Sequence, residues 1–279
     1  MSATSMSLKA KINNYAKQHK IAPQVVLQNY LFERFLERVA LSKYSDNLII
    51  KGGLLISSLV GLDTRSTMDL DTTLQHIRLA PENVKSIVQS ICAVDTGDGI
   101  TFEIKAIEEE RKNDRYGGFC VKMVALYGGI TASLSIDMTT GDVISPSPIG
   151  YNYSKMFDSN STIRLLAYNI ETILAEKTET ILFRNILNTR IRDYYDVYIL
   201  TNTKTVHREL FVNALKATSQ HRGTWDVIKA PFAIISKIET DSSLMNLWIR
   251  YQRKFPYAKD ISFEMIIASL NNLLNGLLE

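Results

Sequence analysis

The chain has 279 residues, of which 46% are apolar and 22% charged, and carries a formal net charge of +3. That is enough apolar material for a proper core and roughly two domains, with too small an imbalance of charge to single out a partner. No apolar run approaches the roughly 20 residues of a membrane helix, and the opening Met1-Ser-Ala-Thr-Ser-Met-Ser-Leu-Lys9 lacks the apolar block of a signal peptide, so a cytoplasmic protein with no membrane partner is expected.

Pro23 opens a segment in which Leu27, Leu31, Phe35 and Val39 recur every four residues, with Glu33, Arg34, Glu37 and Arg38 largely on the other side. This pattern predicts an amphipathic helix with proline in its first turn. The apolar run Leu48-Ile-Ile50 then predicts a strand that runs into Gly52-Gly53, a turn whose bare backbone N–H groups suit a phosphate. A short helix over Leu54–Val60 follows, and the strand after it, Met68–Leu74, carries Asp69 and Asp71. Alternation along a strand aims both carboxylates to one side, where two anions call for a divalent cation. An isolated Asp-x-Asp is weak evidence, but the strand and diglycine one short helix upstream strengthen it. Arg65, just before the pair, suits either phosphate neutralisation or bracing of the carboxylates, and an ordinary loop arginine fits equally.

Pro81 begins another helix, reaching about Val94. Three β-type runs follow, Ile100–Ile107, Phe119–Leu126 and Thr131–Met138. The gaps between them, Arg111-Lys-Asn-Asp114 with Gly117-Gly118 and Tyr127-Gly-Gly129, are of turn length and favour an antiparallel meander. On the last run Leu134, Ile136 and Met138 point one way and Asp137 the other, which suits a third metal carboxylate as well as a sheet-surface residue. After the turn-rich stretch Gly141–Pro148 nearly everything from about Ser161 has helical periodicity. The division is therefore placed at 1–150 and 151–279, a small mixed sheet with helices followed by a helical domain.

In that second part Ile170, Ile173, Leu174, Lys177 and Ile181 share one helical stripe, so Lys177 sets an ammonium on an apolar face. An inward cation needs an anion, and a triphosphate is one candidate; a lysine snorkelling at the stripe's edge is the other. Arg184 is two turns further along. Arg190-Ile-Arg-Asp193-Tyr-Tyr-Asp196 starts a new helix in which Asp193 and Asp196 share a side, either around a nucleotide or as helix-locking ion pairs, with Asp196 the more structural of the two. From Lys204 to Lys259 there are ten basic residues against four acids, a balance that suits a nucleic-acid backbone or solvated helix faces. Cys92 and Cys120 read as core thiols among apolar neighbours, with neither a disulfide framework nor a zinc site, and the four histidines show no metal-ligand spacing. The tyrosines between 151 and 198, Tyr194, Tyr195 and Tyr198 among them, suit stacking on bases, but aromatic residues on helices are usually core and they are assigned no role.

Lys51-Gly-Gly through Arg65-Ser-Thr-Met-Asp-Leu-Asp71 resembles the AbiEii/AbiGii toxin family of nucleotidyltransferases. Asn169–Lys177, Arg184 and the Arg190–Tyr198 segment resemble that family's helical motifs, and Asp137 with Gly141-Asp142 and Pro146 its intervening strand and loop. The match spans roughly residues 48–200, and its order and spacing make it specific. The resemblance implies an α+β fold of the DNA polymerase β-like type, with a helical C-terminal domain that completes the active site and binds RNA. It implies Asp69 and Asp71 as metal ligands, Gly52 and Gly53 on the triphosphate, and Lys177 and Asp193 as further active-site residues. To these the residue patterns add Asp137 as a third ligand of Mg²⁺ or Mn²⁺, and Arg65 and Asp196 beside Lys177 at the nucleotide. The resemblance also implies the toxin of a toxin–antitoxin pair acting in abortive phage infection, with a transcriptional regulator as antitoxin, that transfers NMP from an NTP to the 3′ end of tRNA. Transfer onto a protein hydroxyl and a non-catalytic nucleotide- or RNA-binding regulator are the rivals. Leu54 departs from the hydroxyl residue of many relatives, leaving Ser57 and Ser58 as substitutes only if the helix turns them inward.

Overall fold

The computed structural model describes residues 3–110 and 117–275; the Arg111–Asp114 connection lies outside them. The chain forms two compact units, residues 1–142 with 149–167, and residues 143–148 with 168–279.

The first unit runs α1 (Ala3–His19), α2 (Pro23–Leu41), β1 (Leu48–Lys51), α3 (Gly52–Val60), β2 (Leu70–Leu74), α4 (Pro81–Cys92), β3 (Thr101–Glu110), β4 (Gly118–Tyr127), β5 (Ile130–Thr139), β6 (Ile149–Lys155) and β7 (Asp158–Ala167). Its seven strands lie in the order β3-β4-β5-β2-β1-β7-β6. The sheet is mixed: β3, β4 and β5 form the expected antiparallel meander, β1 is antiparallel to β2, and the pairs β2/β5 and β1/β7 are parallel. One face is apolar. Phe119, Val121 and Met123 on β4, and Leu134, Ile136 and Met138 on β5, are buried. Each such side chain contributes about 1.5–3 kcal/mol when removed from water. The alternate positions, Cys120, Lys122, Ser135, Asp137 and Thr139, belong to the other face.

A helix, α1, precedes Pro23, and its Leu8, Ile12 and Ala16 pack with Val26 of α2. Two features depart from the sequence expectation. The segment Ile149–Ala167 is an antiparallel hairpin, β6 with β7, where helical periodicity is expected from about Ser161. The charges of α2 do not face water: Glu33, Arg34 and Arg38 are buried. Helix α2 lies against α1, α4, β5 and β7, so no side of it is left open and its charges are paired instead. Arg38 binds Asp98 in a fork at 2.9 and 2.8 Å and the Ile100 carbonyl at 2.8 Å, while Glu33 accepts the Met156 N–H at 2.5 Å and pairs with Arg34.

The second unit holds α5 (Ile170–Arg184), α6 (Ile191–Thr203), α7 (Arg208–Arg222), α8 (Trp225–Ile228), α9 (Pro231–Thr240), α10 (Ser242–Lys254) and α11 (Phe263–Leu274). Asn169 caps α5 by accepting the Thr172 N–H at 2.7 Å, and its amide donates to the Ser145 carbonyl at 2.9 Å, tying residues 143–148 to this unit. Among the described residues no helix is long and apolar enough to cross a membrane.

Candidate active site

Strand β1 ends at Lys51, and the chain turns at Gly52 with φ of +60°, a conformation that costs any residue with a Cβ. The turn is also crowded. A Cβ on Gly52 would lie 2.1 Å from Asp71 Oδ2, and one on Gly53 would meet Thr67 Oγ1 at 2.8 Å and the Arg65 guanidinium at 3.2 Å. Both glycines are therefore fixed by the residues that lead into β2. The N–H of Gly53 is not bare, as the sequence suggested, but donates to Asp71 Oδ2 at 3.1 Å.

Strand β2 starts at Leu70, two residues later than expected, so Asp69 precedes the strand. Leu70 is buried, Asp71 half-buried and Asp69 exposed. Asp71 registers with Lys51 on β1 and, across the parallel pair, with Asp137 on β5. Burial pushes the Asp137 carboxyl above the usual carboxylate range; a hydrogen bond from Cys120 opposes this, and the charges of Asp71, Glu110 and Asp69 add to it. The three aspartates named from the sequence are thus brought within electrostatic reach of one another. Cys120 is buried, yet its neighbours are polar: its thiol lies 3.0 Å from Ser135 Oγ, and ligand atoms of Glu110, Cys120 and Asp137 lie within 4.8 Å of one another. Its register with Asp137 explains this, because cross-strand partners share a face. The two carboxylates of this group suit a hard divalent cation such as Mg²⁺ or Mn²⁺, whereas the thiol does not, and Asp69 and Asp71 are not part of the group.

Two sets of contacts hold the site. Lys51 Nζ pairs with Asp142 Oδ2 at 2.5 Å, and the same oxygen accepts Thr139 Oγ1 at 2.8 Å and Thr73 Oγ1 at 2.9 Å. Burial would raise the Asp142 carboxyl, but the Lys51 ammonium and these hydroxyls hold it down at about 2. This knot ties the end of β1 to β2 and β5 directly beside the diglycine. From below, Asn29 of α2 donates to the Thr67 carbonyl at 2.9 Å and Gln28 to the Met68 carbonyl at 3.3 Å, so two buried amides fix the backbone just ahead of Asp69.

Arg65 is 2% exposed, with its guanidinium against Gly53 and Nη1 donating to the Ser66 carbonyl at 2.6 Å. It packs the turn instead of standing open to solvent. Leu54 is wholly buried, which accounts for an apolar side chain at that position. Ser57 donates to the Arg65 carbonyl at 2.5 Å and Ser58 to the Leu55 carbonyl at 2.7 Å, so both hydroxyls bond within the fold.

In the second unit Lys177 projects from α5 toward α6, and its Nζ lies 2.7 Å from both Asp193 and Asp196. Burial pulls the Lys177 ammonium down, and the two carboxylates more than offset it, so its pKa is raised and it stays charged. Arg190 holds the other oxygen of Asp193 at 2.9 Å. Asp196 has no exposed surface, so it acts on a ligand only through Lys177. Arg184, expected on the same inward face, lies exposed in the last turn of α5.

A mixed α+β sheet, with a strand that breaks at two glycines beside Asp71, has the form expected from the resemblance to nucleotidyltransferases. More narrowly, the family model described as nucleotidyl transferase AbiEii toxin, type IV TA system, matches residues 34–269, and the chain belongs to that family. It is a nucleotidyltransferase and a toxin of the type IV toxin–antitoxin class, which implies an NTP substrate and an antitoxin partner. Among solved structures the chain is similar to JHP933 from Helicobacter pylori (17% identity, TM-score 0.48, 90% of each chain covered). It is also similar to a protein of H. pylori provisionally assigned as a nucleotidyltransferase (17% identity, TM-score 0.48, 91% of this chain and 94% of that one). A comparison with curated proteins gave no match.

Proposed function

We propose that the protein transfers NMP from an NTP to the 3′ end of RNA, with tRNA as the acceptor and arrest of translation as the outcome. The observation that carries this is the hydrogen bond from the Gly53 N–H to Asp71, whose neighbour across the sheet is Asp137. It supports the reading because it holds Asp71 against the bend beside which a triphosphate would lie.

In the reaction the oxygen of a 3′ hydroxyl forms a bond to the α-phosphorus, the bond from that phosphorus to the β-phosphate oxygen breaks, and pyrophosphate leaves. Asp69, Asp71 and Asp137 would hold Mg²⁺ or Mn²⁺. Such an ion, when bound, assists loss of the hydroxyl proton and neutralises charge on the transferring and leaving oxygens. The missing Cβ atoms of the diglycine let Asp71, Thr67 and Arg65 close on the bend, so a phosphate bound there would lie beside Asp71. Lys51, Asp142 and Arg65 act as positioning residues that hold the bend against β2. Lys177, kept charged by Asp193 and Asp196, would offer a compact cation to phosphate. Asp193 sets its direction.

Incubation of the protein with each α-labelled NTP, a divalent cation and total RNA tests this reading. Label should enter RNA in the tRNA size range and be removed by 3′ exonuclease. Label in protein, or bound NTP without product, would replace it with one of the two rivals.

A further inference from the structure

The second unit carries an aromatic and cationic patch that the catalytic scheme does not use. Phe255 and Tyr257, just after α10, are half-buried and stacked, with ring centroids 5.3 Å apart and planes 23° from parallel. Beneath them lie two buried rings. Tyr251 is 4.6 Å from Phe255, and Tyr195 of α6 is 4.9 Å from Tyr257. The Tyr251 and Tyr257 hydroxyls are 3.1 Å apart, and Trp248 stacks on Tyr251 at 5.4 Å. The outer rings therefore rest on a packed floor that holds their planes.

Two cations face Phe255. The Arg192 guanidinium carbon is 5.3 Å and Lys254 Nζ 5.5 Å from its centroid. Around them the stretch 242–259 contains Arg250, Arg253, Lys254 and Lys259 and no acidic residue, and all four are exposed. Helix α10 buries Leu244, Trp248 and Tyr251 and leaves Arg250, Arg253 and Lys254 exposed. Arg192 is the residue before Asp193, so the patch adjoins the Lys177–Asp193 pair along the first turn of α6.

We infer that Phe255 and Tyr257, flanked by Arg192 and Lys254, form a stacking platform for an unpaired nucleotide of the RNA acceptor. The inference rests on RNA being the acceptor, as proposed above. Half-exposed rings on a rigid base match the faces of bases, which are free only in single strands, and a run of cations without acids tracks a phosphate backbone. The charges extend beyond what one mononucleotide would need. A duplex covers its base faces except at the two terminal pairs, so along its length it would meet the cations alone.

The test is fluorescence anisotropy of the full-length protein with an end-labelled single-stranded RNA and with a blunt duplex of the same length. Phe255→Leu keeps the apolar volume and removes the ring; it should bind the single strand about tenfold more weakly and leave duplex binding within about twofold. The pair Arg192→Gln with Lys254→Gln should weaken binding to both and reduce the salt slope for the single strand by about 1.4. NTP binding and thermal unfolding, measured alongside, should not change. Wild-type binding of single strands that neither set of substitutions weakens would overturn the platform and leave the RNA acceptor standing. Equal losses of Phe255→Leu on single strand and duplex would also overturn it. Wild-type protein that binds no RNA would remove the acceptor reading itself.

Discussion

The backbone N–H of Gly53 donates to Oδ2 of Asp71 at 3.1 Å, and the same oxygen lies 2.1 Å from where a Cβ on Gly52 would stand. The phosphate bend and the proposed metal carboxylate are thus one structural unit. Moving one displaces the other.

Gly52→Ala should consequently be far more damaging than Gly53→Ala. The first adds a Cβ at φ of +60°, costing about 1–2 kcal/mol in backbone alone, and drives it into Asp71. A shift of the carboxylate by about an ångström is enough to cost on the order of a hundredfold in rate. At Gly53 the backbone is not left-handed, and the new atom meets the Thr67 hydroxyl at 2.8 Å and the Arg65 guanidinium at 3.2 Å instead of Asp71. Transfer assays on the two variants, beside thermal unfolding, give the ranking; a Gly52→Ala protein as active as wild type would separate the bend from catalysis.

Asp142 makes a pH prediction with a definite sign. Its folded pKa of about 2 lies below the ordinary value of 3.8, so the folded state gains from its charge above pH 4 and loses that gain as pH falls toward 2. A shift of this size corresponds to about 2 kcal/mol. Asp142→Asn should be less stable than wild type by about that amount at neutral pH, with the difference closing between pH 4 and pH 2. Denaturant unfolding of both proteins across that range reads it directly.

Asp137 carries the opposite sign. Its carboxyl is raised by burial and by Asp71, Glu110 and Asp69, so its charge opposes folding and the stability it leaves falls as pH rises through its titration. Asp137→Asn should be at least as stable as wild type without divalent cation at pH 7. Added Mg²⁺ or Mn²⁺ should then raise the unfolding temperature of wild type and have a smaller effect on the variant. A variant that is destabilised, or that gains as much from the cation, contradicts the proposed ligand set.

Within the second unit the two carboxylates on Lys177 should separate by role. Asp196 is fully buried, and Asp196→Ala leaves a gap beside the Lys177 ammonium with Asp193 as its remaining carboxylate, so the loss of stability should be clear but below the about 3–5 kcal/mol of a wholly stranded buried charge. Asp193→Asn leaves Asp196 on Lys177 and keeps a hydrogen-bonding group beside Arg190. It should unfold close to wild type and lose transfer. Calorimetry and the labelled-NTP assay on the same preparations distinguish the two.

Much of this site is legible in the sequence because it depends on local order: a strand, two glycines, a short helix, then alternating carboxylates. Lys177 was visible as a polar break in an apolar stripe. What escaped depends on pairing between distant strands. Cys120 looked like a core thiol because its neighbours in sequence are apolar, whereas its neighbour across the sheet is Asp137. Asp142 stood in a turn-rich stretch, and only the juxtaposition of Lys51, Thr73 and Thr139 gives it a role. The hairpin of β6 and β7 escapes a reading of the sequence although Ile163, Leu165 and Ala167 alternate inward, because it turns at Met156-Phe157, which carries no turn signal, and β7 opens with Asp158-Ser-Asn160, whose Asp and Asn are depleted in strands. Buried Glu33, Arg34 and Arg38 were placed outward because helical period identifies the apolar side but not whether the other side is also covered.

The most direct test of the central claim is transfer of label from an α-labelled NTP to RNA by Asp71→Asn, which preserves the side-chain shape and removes its charge. The account predicts no transfer at any cation concentration, with an unfolding curve close to that of wild type. Transfer by Asp71→Asn at the wild-type rate would show that this carboxylate, and the bend that holds it, are not where the chemistry occurs.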